Sequence, residues 1–231
     1  MRNKLVLFDI DGTILLTAGA GRRAIMAIGD EVGENLAFDR VRFDGKTDPQ
    51  IVAELLEAAG QRGPYPSDRV ETLCRRYVNL LEYELGQPSA RTTVMPGVHA
   101  LLDRLEAEPG VVLGLLTGNL AEGAALKLRS AGLDPARFPV GAYGSDAAAR
   151  PDLPPIAARR AQPFFGRVPS GAEVVIIGDT PADVDCGQCI GARAVGVATG
   201  AYSVADLEAR GAHAVFQDLS DTERVMEAIL R

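Results

Sequence analysis

The stretch Leu5-Val6-Leu7-Phe8-Asp9-Ile10-Asp11-Gly12-Thr13 decides how this chain folds. Four consecutive apolar residues read as a buried parallel strand, because a strand covered on both faces does not alternate. The run then breaks into two carboxylates, a glycine and a threonine, a composition suited to a tight strand-to-loop turn. Polar residues at that point face the edge where open α/β sheets bind their ligands.

Outward from this segment, apolar runs recur at Val111-Val112-Leu113-Gly114-Leu115-Leu116, Val174-Val175-Ile176-Ile177 and Ala194-Val195-Gly196-Val197, with a weaker one at Ala214-Val215-Phe216. Helical patterns separate them, over residues 96–108, 121–131, 153–161, 181–190, 204–210 and 221–230. The alternation predicts an α/β fold with a doubly wound parallel sheet. Residues 17–92 break it, showing helical patterns without a strand. There Thr47-Asp48-Pro49 reads as a capped helix start. Val70, Leu73, Cys74, Tyr77, Leu80, Leu81 and Leu85 form the apolar stripe of another helix, read as core packing. The expected organisation is an α/β core of residues 1–16 and 93–231, with a small all-helical cap domain, 17–92, inserted after the first strand.

Two other strands end as the first does, in Leu116-Thr117-Gly118-Asn119 and in Ile177-Gly178-Asp179-Thr180-Pro181-Ala182-Asp183. Asp9, Asp11, Asp179 and Asp183 would therefore converge with Thr117 on one sheet edge. Carboxylates crowded at a partly buried site repel each other, and a divalent cation relieves that repulsion. Hard oxygen donors suit Mg²⁺.

Composition excludes other classes. The 231 residues are 47% hydrophobic, enough for a sizeable core. A net charge of −7 disfavours nucleic acid as a partner. No apolar run approaches the roughly 20 residues that span a membrane. The short apolar run near the N-terminus meets carboxylates at once, which reads as a cytoplasmic start and not a signal peptide. Three cysteines, an odd number, make no disulfide framework. Cys186 and Cys189 read as small buried helix residues without the further ligands a zinc site needs. His99 and His213 read as structural, and Arg22 and Arg23 as surface charges. Monomer and dimer both remain open.

Asp-Ile-Asp-Gly-Thr after an apolar strand, Thr117 ending a second strand and Gly-Asp-x-x-x-Asp ending a third together resemble the signature of the haloacid dehalogenase-like hydrolase superfamily. The helical insertion directly after the first motif resembles its phosphoglycolate phosphatase and β-phosphoglucomutase branch. The resemblance implies a Rossmann-like core and a Mg²⁺-dependent phosphatase acting on a small phosphate monoester, such as phosphoglycolate or a sugar phosphate, through an aspartyl phosphate.

By position, the resemblance implies that Asp9 is the nucleophile and Asp11 the acid that then turns base. It implies that Asp9, the main-chain carbonyl of Asp11 and Asp179 hold Mg²⁺, with Asp183 reaching it through water. Thr117 and the amides around residues 10–12 would bind the phosphoryl oxygens, with Gly12, Gly118 and Asn119 completing that edge. The loop 43–48 resembles a cap loop that reaches the site, with Lys46 as its charge. Arg150, in Ala149-Arg150-Pro151, stands where the family usually shows Lys-Pro and is the expected phosphate-binding cation, at an extended strand end. Lys127 is the competing choice. It lies about ten residues into a helical segment, roughly 10–15 Å from the strand end at 1.5 Å per residue, and reads as a solvated helix charge. The presence of Asp11 argues against a dehalogenase or a phosphonate hydrolase, which replace it. A phosphomutase of the β-phosphoglucomutase type and a non-catalytic binding module stand as alternatives to the phosphatase.

Overall fold

The computed structural model describes residues 3–32, 42–61 and 63–231. Six strands form one sheet: β1 (Lys4–Phe8), β4 (Val111–Thr117), β5 (Val140–Tyr143), β6 (Val174–Gly178), β7 (Arg193–Val197) and β8 (Ala214–Phe216). Every pairing in it is parallel, in the order β5-β4-β1-β6-β7-β8. β1 is central and wholly buried. Phe8 pairs with both Leu115 and Ile177, so β1, β4 and β6 end nearly level and their following loops meet. The chain winds from β1 outward through β4 to β5, then recrosses to β6, and that reversal leaves a crevice at the carboxyl ends.

Successive residues of a strand point to opposite faces, and β1 feeds two cores in that way. Val6 and Phe8 pack with Leu113, Leu115, Val175 and Ile177 against Leu101, Leu102 and Leu105 of α4 (Val98–Ala107), Leu128 of α5 (Ala121–Ser130), and Val225 and Ile229 of α10 (Thr222–Leu230). Leu5 and Leu7 pack on the other face against Leu153 and Ala157 of α6 (Leu153–Arg160) and Cys186 of α8 (Pro181–Cys186). Burying such side chains contributes about 1.5–3 kcal/mol each. Covering on both faces is why the strand sequence runs apolar without alternation. The short helices α7 (Gln162–Phe165) and α9 (Val204–Ala209) complete the shell.

After β1, Leu15–Leu16 (β2) pairs antiparallel with Thr93–Val94 (β3), so the chain leaves and re-enters at one place. Between them lie α1 (Ala20–Val32), α2 (Asp48–Ala58) and α3 (Ser67–Leu85), which share a core of their own around Ala24, Ile28, Leu55, Tyr77 and Leu81. Thr47 caps α2 by accepting the amide hydrogen of Gln50, with Pro49 in the first turn.

Some expectations change. β5 was not foreseen: Val140-Gly141-Ala142-Tyr143 is a short edge strand with two small residues, too little pattern to register. The helical segment 181–190 divides, α8 ending at Cys186 and a 3₁₀ turn following to Ile190. Cys186 is buried, but Cys189 is exposed and not a buried helix residue. The Nδ1 of His213 accepts the amide hydrogen of Ala194 at 3.1 Å, a structural role. Among the described residues, no helix is long and apolar enough to cross a membrane.

Candidate active site

Asp9 leaves β1 in strand direction, and the chain then folds over itself as the amides of Ile14 and Leu15 donate to the carbonyl of Ile10, at 2.9 and 3.0 Å. Gly12 makes the bend at φ +83°, and a Cβ there would collide with the Asp179 carboxylate. Only glycine meets both demands. The turn swings Asp11 to the cavity side, so the two carboxylates enter different surroundings.

Asp9 is buried beside Asp179 and Asp183, with oxygens of all three within 4.8 Å of one another. Burial pushes the Asp9 carboxyl up to about 6, with Asp183 and Asp11 adding and Arg150 opposing. Burial, then Asp183 and Asp9, pushes Asp179 up to about 8. Thr13 Oγ1 donates to Asp179 Oδ1 at 3.1 Å. Asp183 is fixed by its place in α8: the Thr180 amide and hydroxyl donate to its Oδ2 at 3.0 and 2.7 Å, closing a capping box.

Arg150 follows an extended Ala149 and opens a 3₁₀ turn, so it does not occupy the strand end expected of it. Its Nη2 pairs with Asp183 and stands 3.2 Å from Asp9 Oδ1. Its buried Nε has no partner among the described residues. Arg150 therefore lies beside the Asp9 cluster, already committed to two carboxylates.

Asp11 forms the second cluster, and here the reading of Lys127 is corrected. Lys127 is 4% exposed, its Nζ lying 2.8 and 2.6 Å from the two Asp11 oxygens and 2.6 Å from Asn119 Oδ1. It is not a solvated charge remote from the strand end. α5 starts four residues after β4, and a helical side chain leans toward the helix N-terminus. An extended lysine thus recovers the distance that the helix rise takes away. Asn119 Nδ2 donates to Asp11 Oδ2 and to Thr117 Oγ1, both at 2.8 Å.

Helix α2 delivers a loop onto this edge. The Asp48 amide donates to the Gly118 carbonyl at 2.8 Å, and the Leu120 amide donates to Asp48 Oδ2 at 2.8 Å. A Cβ on Gly118 would strike the Lys46 carbonyl, so Gly118 permits the close approach. Burial pushes the Asp48 carboxyl up to about 6 against the opposing charge of Lys127. Lys46, in the loop before α2, lines the cavity, and its amine pairs with Glu54 of α2. Arg23 pairs with Glu84 at the surface, whereas Arg22 lies 5.1 Å over the Phe43 ring and lines the cavity.

These groups enclose a cavity of about 380 Å³, acidic at its sheet end and walled by α1, α3 and the 43–48 loop on the other side. That volume suits a small molecule. Asp44, Gly45, Lys46 and Asp48 of the 43–48 loop line it, as does Tyr77, which was not expected there. Tyr77 read as one member of an apolar stripe. Its one available signal was a hydroxyl among aliphatic neighbours, which needs a partner if buried.

A HAD-hydrolase-like family model matches residues 149–222, the segment holding Arg150, Asp179 and Asp183. The probable phosphatase IndB of Dickeya dadantii is 28% identical over 230 residues, covering 98% of this chain and 95% of that protein. A hydrolase structure from Pseudomonas syringae superposes with TM-score 0.74 at 23% identity, over 98% of each chain. A β-phosphoglucomutase structure from Clostridium difficile gives TM-score 0.75 at 17% identity, over 100% of this chain and 98% of the other.

Proposed function

We propose that this chain, haloacid dehalogenase-like in its fold and in the order of its motifs, is a phosphatase that hydrolyses a small phosphate monoester through an aspartyl phosphate on Asp9. The observation that carries this reading is the divided environment of two carboxylates two residues apart. Asp9 is sunk among acids and Arg150, whereas Asp11 faces the cavity against Lys127 and Asn119. Titratable groups pushed into different surroundings take different roles.

Asp9 attacks phosphorus, forming a P–O bond as the ester P–O bond breaks and the alcohol departs. Asp11 protonates that departing oxygen, then takes a proton from the water that attacks the aspartyl phosphate, which releases inorganic phosphate and restores Asp9. Lys127, on both Asp11 oxygens, orients the acid. Thr117 Oγ1, the turn amides and the cations Arg150 and Lys127 stabilise charge on the transferring group.

The residues present fit a divalent cation. Asp9, Asp179 and Asp183 carry three negative charges when ionised and Arg150 returns one, which leaves the charge that one such ion balances. Burial above all, with the neighbouring acids adding, raises the Asp9 and Asp179 carboxyls, and a cation at that point would favour their ionised forms. Hard oxygen donors suit Mg²⁺, with Asp9, Asp179, Asp183 and the Asp11 carbonyl to hold it. When bound, Mg²⁺ supplies charge neutralisation at the phosphoryl oxygens. The helices of residues 17–92 serve as a cap domain that encloses the ester and excludes bulk water.

Turnover of p-nitrophenyl phosphate and of a panel of phosphorylated metabolites, measured with Mg²⁺ and after chelation, tests this. Release of inorganic phosphate that chelation abolishes and Mg²⁺ restores is expected. Full activity in metal-free buffer would sink the metal assignment, and no phosphate release from any ester would sink the phosphatase.

A further inference from the structure

Tyr77 packs its ring into the α1–α3 core and is 2% exposed, yet it also lines the active-site cavity. Its hydroxyl has no hydrogen-bond partner among the described residues. The ring is buried but the hydroxyl opens on the cavity, so it is placed to hydrogen-bond whatever occupies that space.

Gly21 lies beside this hydroxyl and beside the Lys127 amine. A Cβ at this position would stand 3.5 Å from Tyr77 Oη and 3.5 Å from Lys127 Nζ. The hydroxyl and the amine therefore face one niche, which α1 keeps open by having no side chain there. Glycine within a helix is unfavourable relative to alanine, so the gap comes at a cost in helix stability. Lys127 Nζ also touches both oxygens of Asp11, which places the niche beside the acid that serves the leaving group. Burial, with the nearby Asp48 and Asp11 charges, holds the phenol proton more firmly than usual. The hydroxyl therefore keeps a hydrogen to donate.

We propose that Tyr77 is a substrate-binding residue whose hydroxyl donates a hydrogen bond to an oxygen carried by the leaving alcohol, close to the ester oxygen. The substrate class follows: the phosphate of an alcohol bearing a hydroxyl, carbonyl or carboxylate oxygen near its phosphorylated carbon. The assignment rests on the phosphatase reading and deepens it. A site built to hydrogen-bond an oxygen discriminates against an analogue that lacks it, since its own polar group is then left unpaired.

The test uses matched esters, 2-phosphoglycolate against ethyl phosphate and glycerol 3-phosphate against propyl phosphate, with Mg²⁺, in wild type and Tyr77→Phe. Inhibition by inorganic phosphate checks that the variant keeps its phosphate site. In at least one pair the wild type should prefer the oxygenated ester, and Tyr77→Phe should lower that ratio of kcat/KM about tenfold, chiefly through KM. Ratios unchanged in both pairs overturn the assignment, even where both rates fall together, as they would for a purely structural tyrosine. A wild type that turns over p-nitrophenyl phosphate but prefers neither oxygenated ester overturns it alone. A wild type inert toward every ester overturns the phosphatase reading and this assignment with it.

Discussion

The Nζ of Lys127 lies 2.6 Å from Oδ2 of Asp11 across 116 residues of sequence. The contact joins the β1 turn to the second turn of α5 and sets a buried cation against the carboxylate proposed as the acid. Arg150 supplies another beside Asp9. A preorganised charge facing a transferring phosphoryl group is worth about 10²-fold in rate. Lys127→Ala and Arg150→Ala are therefore each expected to lower kcat/KM on the order of 10²-fold. Steady-state kinetics decide this, and a Lys127→Ala enzyme with near wild-type turnover would remove the lysine from the site.

Asp9 and Asp11 should separate by leaving group. Asp9→Asn is expected to show no detectable turnover, since an amide is no nucleophile. Asp11→Asn should slow alkyl phosphates more than p-nitrophenyl phosphate, whose leaving group departs without a proton. Equal losses on good and poor leaving groups would contradict an acid at Asp11.

Gly118→Ala tests the seat of the 43–48 loop. The added methyl would fall on the Lys46 carbonyl, displacing the loop from the β4–α5 turn. A drop in kcat/KM of on the order of 10-fold or more, with the melting temperature nearly kept, is expected, because misplacing an enclosing element costs rate out of proportion to stability. Unchanged kinetics would show that the close approach has no part in turnover.

Asp48 makes stability depend on pH. Its folded carboxyl is raised from an ordinary 3.8 to about 6, chiefly by burial. Its contribution to stability is therefore complete below the ordinary value and is lost as pH rises through about 6. Asp48→Asn keeps an oxygen for the Leu120 amide and has no proton to lose. Relative to wild type, the variant should gain stability between pH 4 and pH 7, by on the order of 2–3 kcal/mol. Thermal melts at both values measure it, and a constant difference between the two proteins would contradict the burial of an ionisable carboxyl there.

The parallel strands with apolar runs were legible because both faces of β1, β4 and β6 are covered, which imposes a local pattern on each. β5 was illegible because an edge strand of four residues with glycine and alanine carries almost none. The convergence of Asp9, Thr117 and Asp179 was also legible, since each stands at or just past a strand end and parallel order places those ends together, with Asp183 following in the first turn of α8.

Sequence alone thus determined the α/β class, the strand that carries Asp9 and the residues that gather at its tip, because local hydrophobic pattern and strand-end position decide these. Only the tertiary structure decided which cation meets which carboxylate. Lys127 read as solvated because helix rise counts backbone distance and omits the reach and lean of a long side chain. Tyr77 read as core because a stripe of apolar positions does not say that its far end opens on a cavity. Those outcomes depend on contacts between residues far apart in the chain, α5 against the β1 turn for Lys127 and α3 over the sheet edge for Tyr77, which no periodicity encodes.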